Sequence, residues 1–257
     1  MGCSYSSLVK FSGQTSFCIL IAIIQLAWLQ VAAAEDVTQD LSHGASFTYE
    51  IAPNLSLFSF KIIPELRDAD QDGNAQSIVR MIEVFHVNAE KPFQRLEGCD
   101  WSEMQPPPKD TSWFRAQDVN FDGYADIFLM TWWGATGNQG GCVWLYNPST
   151  GRFEYSKEFS ELSGFTLEPE KKTILTFSDG GMAGLVYDTQ KFRVQDNKPV
   201  LIWHERQDWD STTRQFHCVT EELQDGQMVI KKDKRSEPGT SDDWSKVTAP
   251  CDSGADI

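Results

Sequence analysis

Short runs in which apolar and polar residues alternate follow one another along most of the chain. Turn residues separate the runs, as in Asn147-Pro148-Ser149-Thr150-Gly151 and Asp225-Gly226. Alternation with a period of two predicts strands, so we expect an all-β, single antiparallel domain. The runs lie at 46–51, 56–63, 79–87, 93–96, 127–133, 143–146, 153–155, 173–177, 184–187, 191–195, 199–203, 216–220 and 227–232.

The spacing of these strands is typical of sandwiches, barrels and small propellers. We expect a small β-propeller-like or β-sandwich domain over residues 35–232, with one short helix at 156–162. Residues 233–257 are polar and interrupted by Pro, Gly and Ser. This composition predicts a C-terminal tail, anchored at Cys251.

Residues 1–34 have the pattern of a secretory signal peptide. Lys10 precedes an apolar stretch from Phe17 to Val31, and Ala32-Ala33-Ala34 provides an A-x-A cleavage site. We therefore expect cleavage before Glu35 and a periplasmic or secreted protein without stable membrane insertion. A retained N-terminal anchor is the alternative.

Cleavage would leave 223 of the 257 residues, and loss of Lys10 would change the formal charge from −15 to −16. Four cysteines would remain: Cys99, Cys142, Cys218 and Cys251. An oxidising compartment favours disulfides. The sequence does not choose among the three possible pairings, of which we favour Cys99–Cys142 with Cys218–Cys251. A zinc site at His217 and Cys218 is the alternative, although no C-x₂-C spacing supports it.

The strongly acidic balance argues against nucleic acid as a partner, because phosphate contacts need Lys and Arg. No nucleophile, metalloprotease or phosphate-binding motif is present in the sequence. The mature histidines, His43, His86, His204 and His217, are scattered singly. We therefore expect a protein that is not an enzyme.

A candidate calcium loop lies at Asp118–Asp126. Asp118, Asn120, Asp122 and Asp126 place oxygen side chains at loop positions 1, 3, 5 and 9, and Gly123 at position 6 permits a sharp turn. The backbone carbonyl of Tyr124 would add a ligand. An apolar strand follows in place of a helix, so the loop resembles the β-type calcium loop of FG-GAP (integrin-like) repeats. The expected cofactor is Ca²⁺.

The segment Asp68-Ala69-Asp70-Gln71-Asp72-Gly73 repeats the first six positions of this pattern, but Gln76 stands at the ninth. It is either a second ion site, formed by Asp68, Asp70 and Asp72, or an acidic hairpin turn. We favour the turn.

Tryptophan is frequent, and Trp132 and Trp133 are adjacent on a predicted strand. Their side chains should point to opposite faces, so we expect one in the core and Trp133 exposed. A glycine-rich loop with Gly137 and Asn138 follows. Exposed aromatic rings stack on sugars and anchor protein interfaces, which makes a cell-wall carbohydrate-binding module one candidate function.

The segment from Asp118 through the strand-turn-strand at 143–153 resembles a family of exported bacterial proteins. Its best-understood members are periplasmic inhibitors, or immunity proteins, of lysozyme-like peptidoglycan hydrolases linked to type IV secretion. Ser163-Gly164-Phe165 is similar to the Ser-Gly-aromatic loop that inhibitors of animal-type lysozymes insert into the enzyme cleft. The resemblance implies a calcium-stabilised inhibitor whose partner is a basic peptidoglycan hydrolase.

Overall fold

Three antiparallel sheets form most of the chain that the computed structural model describes, which comprises residues 44–67, 76–101, 104–105, 113–236 and 251. All of these residues belong to one compact unit, 39–257. The expected signal peptide and the acidic segment 68–73 lie outside the described residues. The prediction of an all-β, antiparallel fold is confirmed.

The first sheet is a meander in which each strand pairs with the next. Phe58, Phe60 and Ile62 of its second strand are buried, as expected when alternate side chains point to one face. Its strands are β1 (Ala45–Tyr49), β2 (Phe58–Arg67), β3 (Gln76–His86) and β4 (Gln94–Arg95).

The second sheet is a meander of the same kind. Its strands are β5 (Phe114–Gln117), β6 (Asp126–Trp133), β7 (Gln139–Asn147) and β8 (Arg152–Ser156). Residues 126–130 of β6 are all buried, so this strand is covered on both faces. The candidate calcium loop connects β5 to β6.

A single turn of helix, α1 (Lys157–Ser160), follows β8 and confirms the predicted short helix. Its first turn is capped by the Ser156 hydroxyl, which accepts a hydrogen bond from the Phe159 N–H. The Phe159 side chain is buried and fixes the helix to the core.

The third sheet has six strands, again in chain order. Its strands are β9 (Thr166–Glu168), β10 (Thr173–Gly181), β11 (Val186–Gln195), β12 (Lys198–Asp210), β13 (Gln215–Gln224) and β14 (Gln227–Arg235). The two runs predicted at 184–187 and 191–195 are one strand, β11. β14 continues through Arg235, into the segment that was predicted as tail.

Aromatic packing joins the first two sheets. Phe47 lies 5.0 Å from Phe114, and Phe58 lies 5.7 Å from Phe153, measured between ring centroids. The Trp144 ring is fully buried and its Nε1 donates to the Glu97 carbonyl at 2.7 Å. The fold therefore has an aromatic core between consecutive meanders. Three open sheets of this kind suit the propeller-like expectation.

Two disulfides are present, Cys99–Cys142 and Cys218–Cys251. The favoured pairing is therefore confirmed, and the zinc alternative at Cys218 is wrong because its thiol is bonded to Cys251. Disulfides of this kind are typical of exported proteins. Within the described residues, no helix has the length and apolar character needed to cross a membrane.

Candidate functional site

The candidate calcium loop is held by hydrogen bonds between its acidic side chains and its own backbone. Asp118 accepts from the N–H groups of Asp122 and Gly123, at 3.1 and 2.9 Å. Asp122 accepts from the N–H of Tyr124 at 2.9 Å. Gly123 has φ 91°, a conformation that favours glycine. The tight turn that was predicted from Gly123 is present.

Asn120 connects this loop to the third sheet. Its Oδ1 accepts from the N–H of Asp122 at 3.2 Å, and its Nδ2 donates to Asp122 Oδ2 at 3.0 Å. The same Nδ2 lies 3.3 Å from Oδ1 of Asn197, in the turn between β11 and β12. The loop is thus held both by its own hydrogen bonds and by a hydrogen bond to the third sheet.

Asp126 closes the loop from the first position of β6. Its side chain is fully buried, and its two oxygens accept from the N–H groups of Val119, at 2.9 Å, and Tyr146, at 2.8 Å. Burial raises the pKa of Asp126 to about 8, and the charges of Asp122 and Asp118 act in the same direction, whereas the two hydrogen bonds oppose the rise. Burial also raises the pKa of Asp118 above its ordinary value.

The donors in this loop are the hard oxygens that Ca²⁺ prefers, and a cation would offset the concentrated negative charge. The carboxylates are not drawn together around one centre. Among the described residues, one group of three carboxylate, imidazole or cysteine side chains has its potential ligand atoms within 4.8 Å of one another. It consists of Glu205, Cys218 and Cys251, and its two cysteines form a disulfide. The loop therefore matches calcium in donor type and order, and closure around an ion requires the carboxylates to approach one another.

The two candidate binding loops, 134–141 and 163–165, adjoin each other. The N–H of Gly164 donates to the carbonyl of Gln139 at 2.8 Å. The first loop is a tight hairpin, closed by a 2.7 Å bond from the Gly134 N–H to the Asn138 carbonyl, with Gly137 at φ 85°. Sequence reasoning named both loops without placing them together.

Asn138 fixes this pair of loops to β10. Its Nδ2 donates to the carbonyl of Asp179 at 2.9 Å, and its Oδ1 accepts from the Asp179 N–H at 2.8 Å. The side-chain amide thereby pairs with the backbone of β10 as a neighbouring strand would. Asn138 therefore has a positioning role, because both ends of its amide are engaged.

The expectation that Phe165 is a contact aromatic is corrected by its burial. Phe165 is only 7% exposed and packs edge-on against Phe128, with ring centroids 5.4 Å apart. The guanidinium of Arg115 lies over the Phe128 ring at 4.3 Å. Phe165 therefore anchors its turn to the core, and Ser163 and Gly164 form the outer part of the turn.

Trp132 and Trp133 are both exposed, by 39% and 45%. The expectation that one of them enters the core is wrong. The pairing of β6 with β7 shifts between Met130 and Trp132, and the buried part of β6 ends at Met130. The Trp132 ring lies over Gly140, where a Cβ would be 2.4 Å from its Nε1.

Phe177 on β10 is an exposed aromatic residue that the sequence reasoning missed. It is 48% exposed and stacks on Tyr187 of β11, with ring centroids 6.3 Å apart. A Cβ on Gly164 would lie 2.9 Å from the Phe177 carbonyl, so Phe177 adjoins the turn at 163–165. We call the surface formed by residues 132–138, 163–164 and 177–179 the loop face.

An open groove of about 860 Å³ lies elsewhere, along the edges of β4 and β8. The Gln94 amide crosses it and pairs with the backbone of Phe153 through two hydrogen bonds, of 2.5 and 3.0 Å. Arg95, Glu97, Arg152 and Glu154 line the groove with charges of both signs. Sequence reasoning did not find this groove, because neither edge carries a motif.

No protein-family model matches this chain, and neither does any curated protein sequence. Among solved structures, a protein described as a Xanthomonas type IV secretion system related protein is similar to it, with a TM-score of 0.51 and 16% identity. The match covers 76% of this chain and 97% of that chain. At this identity the likeness is one of fold. The resemblance to FG-GAP repeats rests on the calcium-type loop alone.

Proposed function

We propose that this chain is an exported, non-enzymatic protein that inhibits a lysozyme-like peptidoglycan hydrolase. The observation that carries the proposal is the loop face, in which two surface loops are hydrogen-bonded to each other and to a sheet. An exposed surface that is already fixed by hydrogen bonds loses little conformational entropy on binding. It is therefore suited to entering the cleft of an enzyme.

Two further observations support this function. The fold is similar to that of a type IV secretion system related protein. The formal charge of −15 suits a partner that is itself basic because it binds an anionic polymer. Opposite net charges accelerate association and make it sensitive to salt.

Calcium is proposed as a stabilising ion with no part in chemistry. The side chains of Asp118, Asn120, Asp122 and Asp126 and the carbonyl of Tyr124 would hold it. Asp126 also bonds to Tyr146 on β7, the strand that begins beside the loop face. An ion would hold β6 and β7 together at the end of the sheet away from the loop face.

The test is a turbidity assay of cell-wall lysis, using hydrolases encoded beside this gene together with a panel of lysozymes. We expect the calcium-loaded protein to suppress at least one enzyme. Asn138→Ala should weaken inhibition because the hairpin loses its two bonds to β10, whereas Gln227→Ala, at an exposed position of β14 outside the loop face, should not. Full activity of every enzyme at excess protein would end the proposal.

A cell-wall carbohydrate-binding module is the second candidate, and the exposure of both Trp132 and Trp133 favours it. Soluble glycan fragments would then quench the tryptophan fluorescence, and Trp133→Ala would abolish the quenching. The charge opposes this function, because peptidoglycan carries carboxylates of its own.

A further inference from the structure

One end of the third sheet combines exposed aromatic surface with a carboxylate. Asp179 is directly opposite Tyr187 in the pairing of β10 with β11, and Phe177 precedes Asp179 by two residues. Residues two apart on a strand, and residues opposite each other on paired strands, share one face of a sheet. Phe177, Asp179 and Tyr187 therefore lie on the same face, next to the loop at 134–138.

The groups of this patch are fixed in place before any partner arrives. The hydroxyl of Tyr187 donates to Glu205 Oε1 at 2.9 Å, and Thr220 donates to the other oxygen of Glu205, also at 2.9 Å. Asp179 is held through its backbone by Asn138, and its Oδ1 accepts from the N–H of Gly181 at 2.6 Å. Binding here would order few side chains, which lowers its entropic cost.

Flat aromatic rings beside carboxylates form the environment that attracts a guanidinium or an ammonium group. The ring faces are negative, and the carboxylate accepts the N–H donors of the cation. We propose that Phe177, Tyr187 and Asp179 form a docking surface for an arginine or lysine side chain of a basic protein partner. The chain's formal charge of −15 supports such an occupant, since long-range attraction favours association with a basic protein.

This inference rests on the proposed function in taking a protein as the partner. Recognition of the cation itself is separate from that function and is testable without a hydrolase. A neutral sugar would also stack on Phe177, but it would gain less from the carboxylate. The two ligands are therefore distinguished by the charge dependence of binding.

The experiment is an NMR titration of the ¹⁵N-labelled, disulfide-bonded protein with four probes. They are the capped tripeptide Gly-Arg-Gly, its lysine counterpart, its citrulline counterpart and a soluble chitooligosaccharide. Citrulline keeps the shape of arginine and lacks its charge. We expect saturable shifts of the Ser178 and Gly180 amides with the arginine peptide, and affinity weaker by about threefold or more with citrulline.

Variants locate the binding. Phe177→Ala and Asp179→Asn should each weaken the arginine response, and both should keep the fold because Phe177 is exposed and Asp179 is held through its backbone. Ile230→Ala, at a residue 57% exposed on β14 of the same sheet, should leave the response unchanged.

Equal binding of the arginine and citrulline peptides would overturn the proposal, as would a preference for the oligosaccharide or the absence of shifts at these amides. If no hydrolase is inhibited but the arginine response is present, the proposed function fails and this site stands. If the wild type gives no arginine response and inhibition is unchanged in Phe177→Ala and Asp179→Asn, the proposed function stands and the proposed cation site is contradicted.

Discussion

Gly141 lies on β7 so close to β6 that no side chain fits. A Cβ at this position would be 2.0 Å from the backbone carbonyl oxygen of Leu129. Gly141→Ala should therefore lower the free energy of unfolding, by about 1–3 kcal/mol as is usual for overpacked sites. Urea unfolding of the disulfide-bonded protein measures the change.

Gly134→Ala is the matched control. It lies in the same glycine-rich segment, but its nearest neighbour would be 3.8 Å from a Cβ, which is ordinary contact. Its stability should stay close to that of the wild type. If the two variants lose the same free energy of unfolding, the close approach of β6 and β7 at Gly141 is not the reason for the loss.

At the level of single residues, the sequence predicted the tight turn at Gly123, because the side chains of this loop bond to the backbone within a few residues. Asp118 and Asp122 accept local N–H groups, and Gly123 has the expected positive φ. The sequence did not predict that Phe165 is buried or that Phe177 is exposed. Whether an aromatic residue is buried depends on which sheet covers it, and that information is not local.

The loop between β5 and β6 leads to the prediction on calcium. Since an ion that binds the native state stabilises it, the melting temperature should rise with calcium. At a calcium concentration a hundred times the Kd, the free energy of unfolding should increase by about 2.7 kcal/mol. Asp118→Asn should reduce the rise. Asp225→Asn, in the exposed turn between β13 and β14, should retain it.

The measurement is a thermal melt of protein first shown to be metal-free, in EDTA and in millimolar calcium. Superimposable curves for the wild type would contradict calcium binding. The loop would then be held by its own hydrogen bonds, as the contacts of Asp118, Asp122 and Asp126 already permit.

The turn between β9 and β10 should make stability depend on pH. Thr173 donates to Glu168 at 2.6 Å and Lys171 donates to it at 2.9 Å. Both hydrogen bonds lower the pKa of Glu168, and the bond from Thr173 has the larger effect. A lowered pKa in the native state adds stability above the unfolded pKa, and this stability is lost as the pH falls through the folded pKa.

Thr173→Val removes the hydroxyl and keeps the shape. It should raise the pKa of Glu168 and cost about 0.5–1.5 kcal/mol at neutral pH. The cost should shrink once the pH is low enough to protonate Glu168 in both proteins. NMR titration of the Glu168 carboxyl and urea unfolding at two pH values measure these effects. An equal cost at both pH values would assign the loss to packing instead.

At the level of elements, alternation over several residues located most strands, with most ends displaced by four residues or fewer and the end of β12 by seven. β5 and β9 were missed because they span only Phe114–Gln117 and Thr166–Glu168, too few residues to show a period. β11 was split in two, since Asp188 and Gln190 break the apolar run although they pair in register with β10. Tertiary pairing decides such segments.

For the whole molecule, the disulfides lead to a prediction about export. Mass spectrometry of protein from the native envelope should show Glu35 at the N-terminus and no free thiols. Each disulfide should contribute about 4 kcal/mol by loop-closure entropy, because they span 43 and 33 residues. A chain that begins at Met1, or four cysteines that alkylate without prior reduction, would contradict export with disulfides.

The order of the sheets follows from the sequence only in part. Consecutive strands pair because the turns between them are short, as at Asp196-Asn197, where both residues adopt positive φ. The joining of the loop face depends on Asn138 and Gln139, at the hairpin between β6 and β7, contacting Asp179 of the third sheet and Gly164 in the turn before it. Contacts between segments that are distant in the sequence leave no periodic pattern, so the loop face could be identified only from the structure.

The central claim, that the loop face is the contact surface, is tested most directly by amide hydrogen exchange. The protein is compared alone and with an excess of a hydrolase that it inhibits. Exchange should slow at 134–141, 163–165 and 177–181 and stay unchanged along β4 and β8. Slower exchange around Gln94 and Tyr155, with no change in the loop face, would contradict the claim and place the partner in the groove.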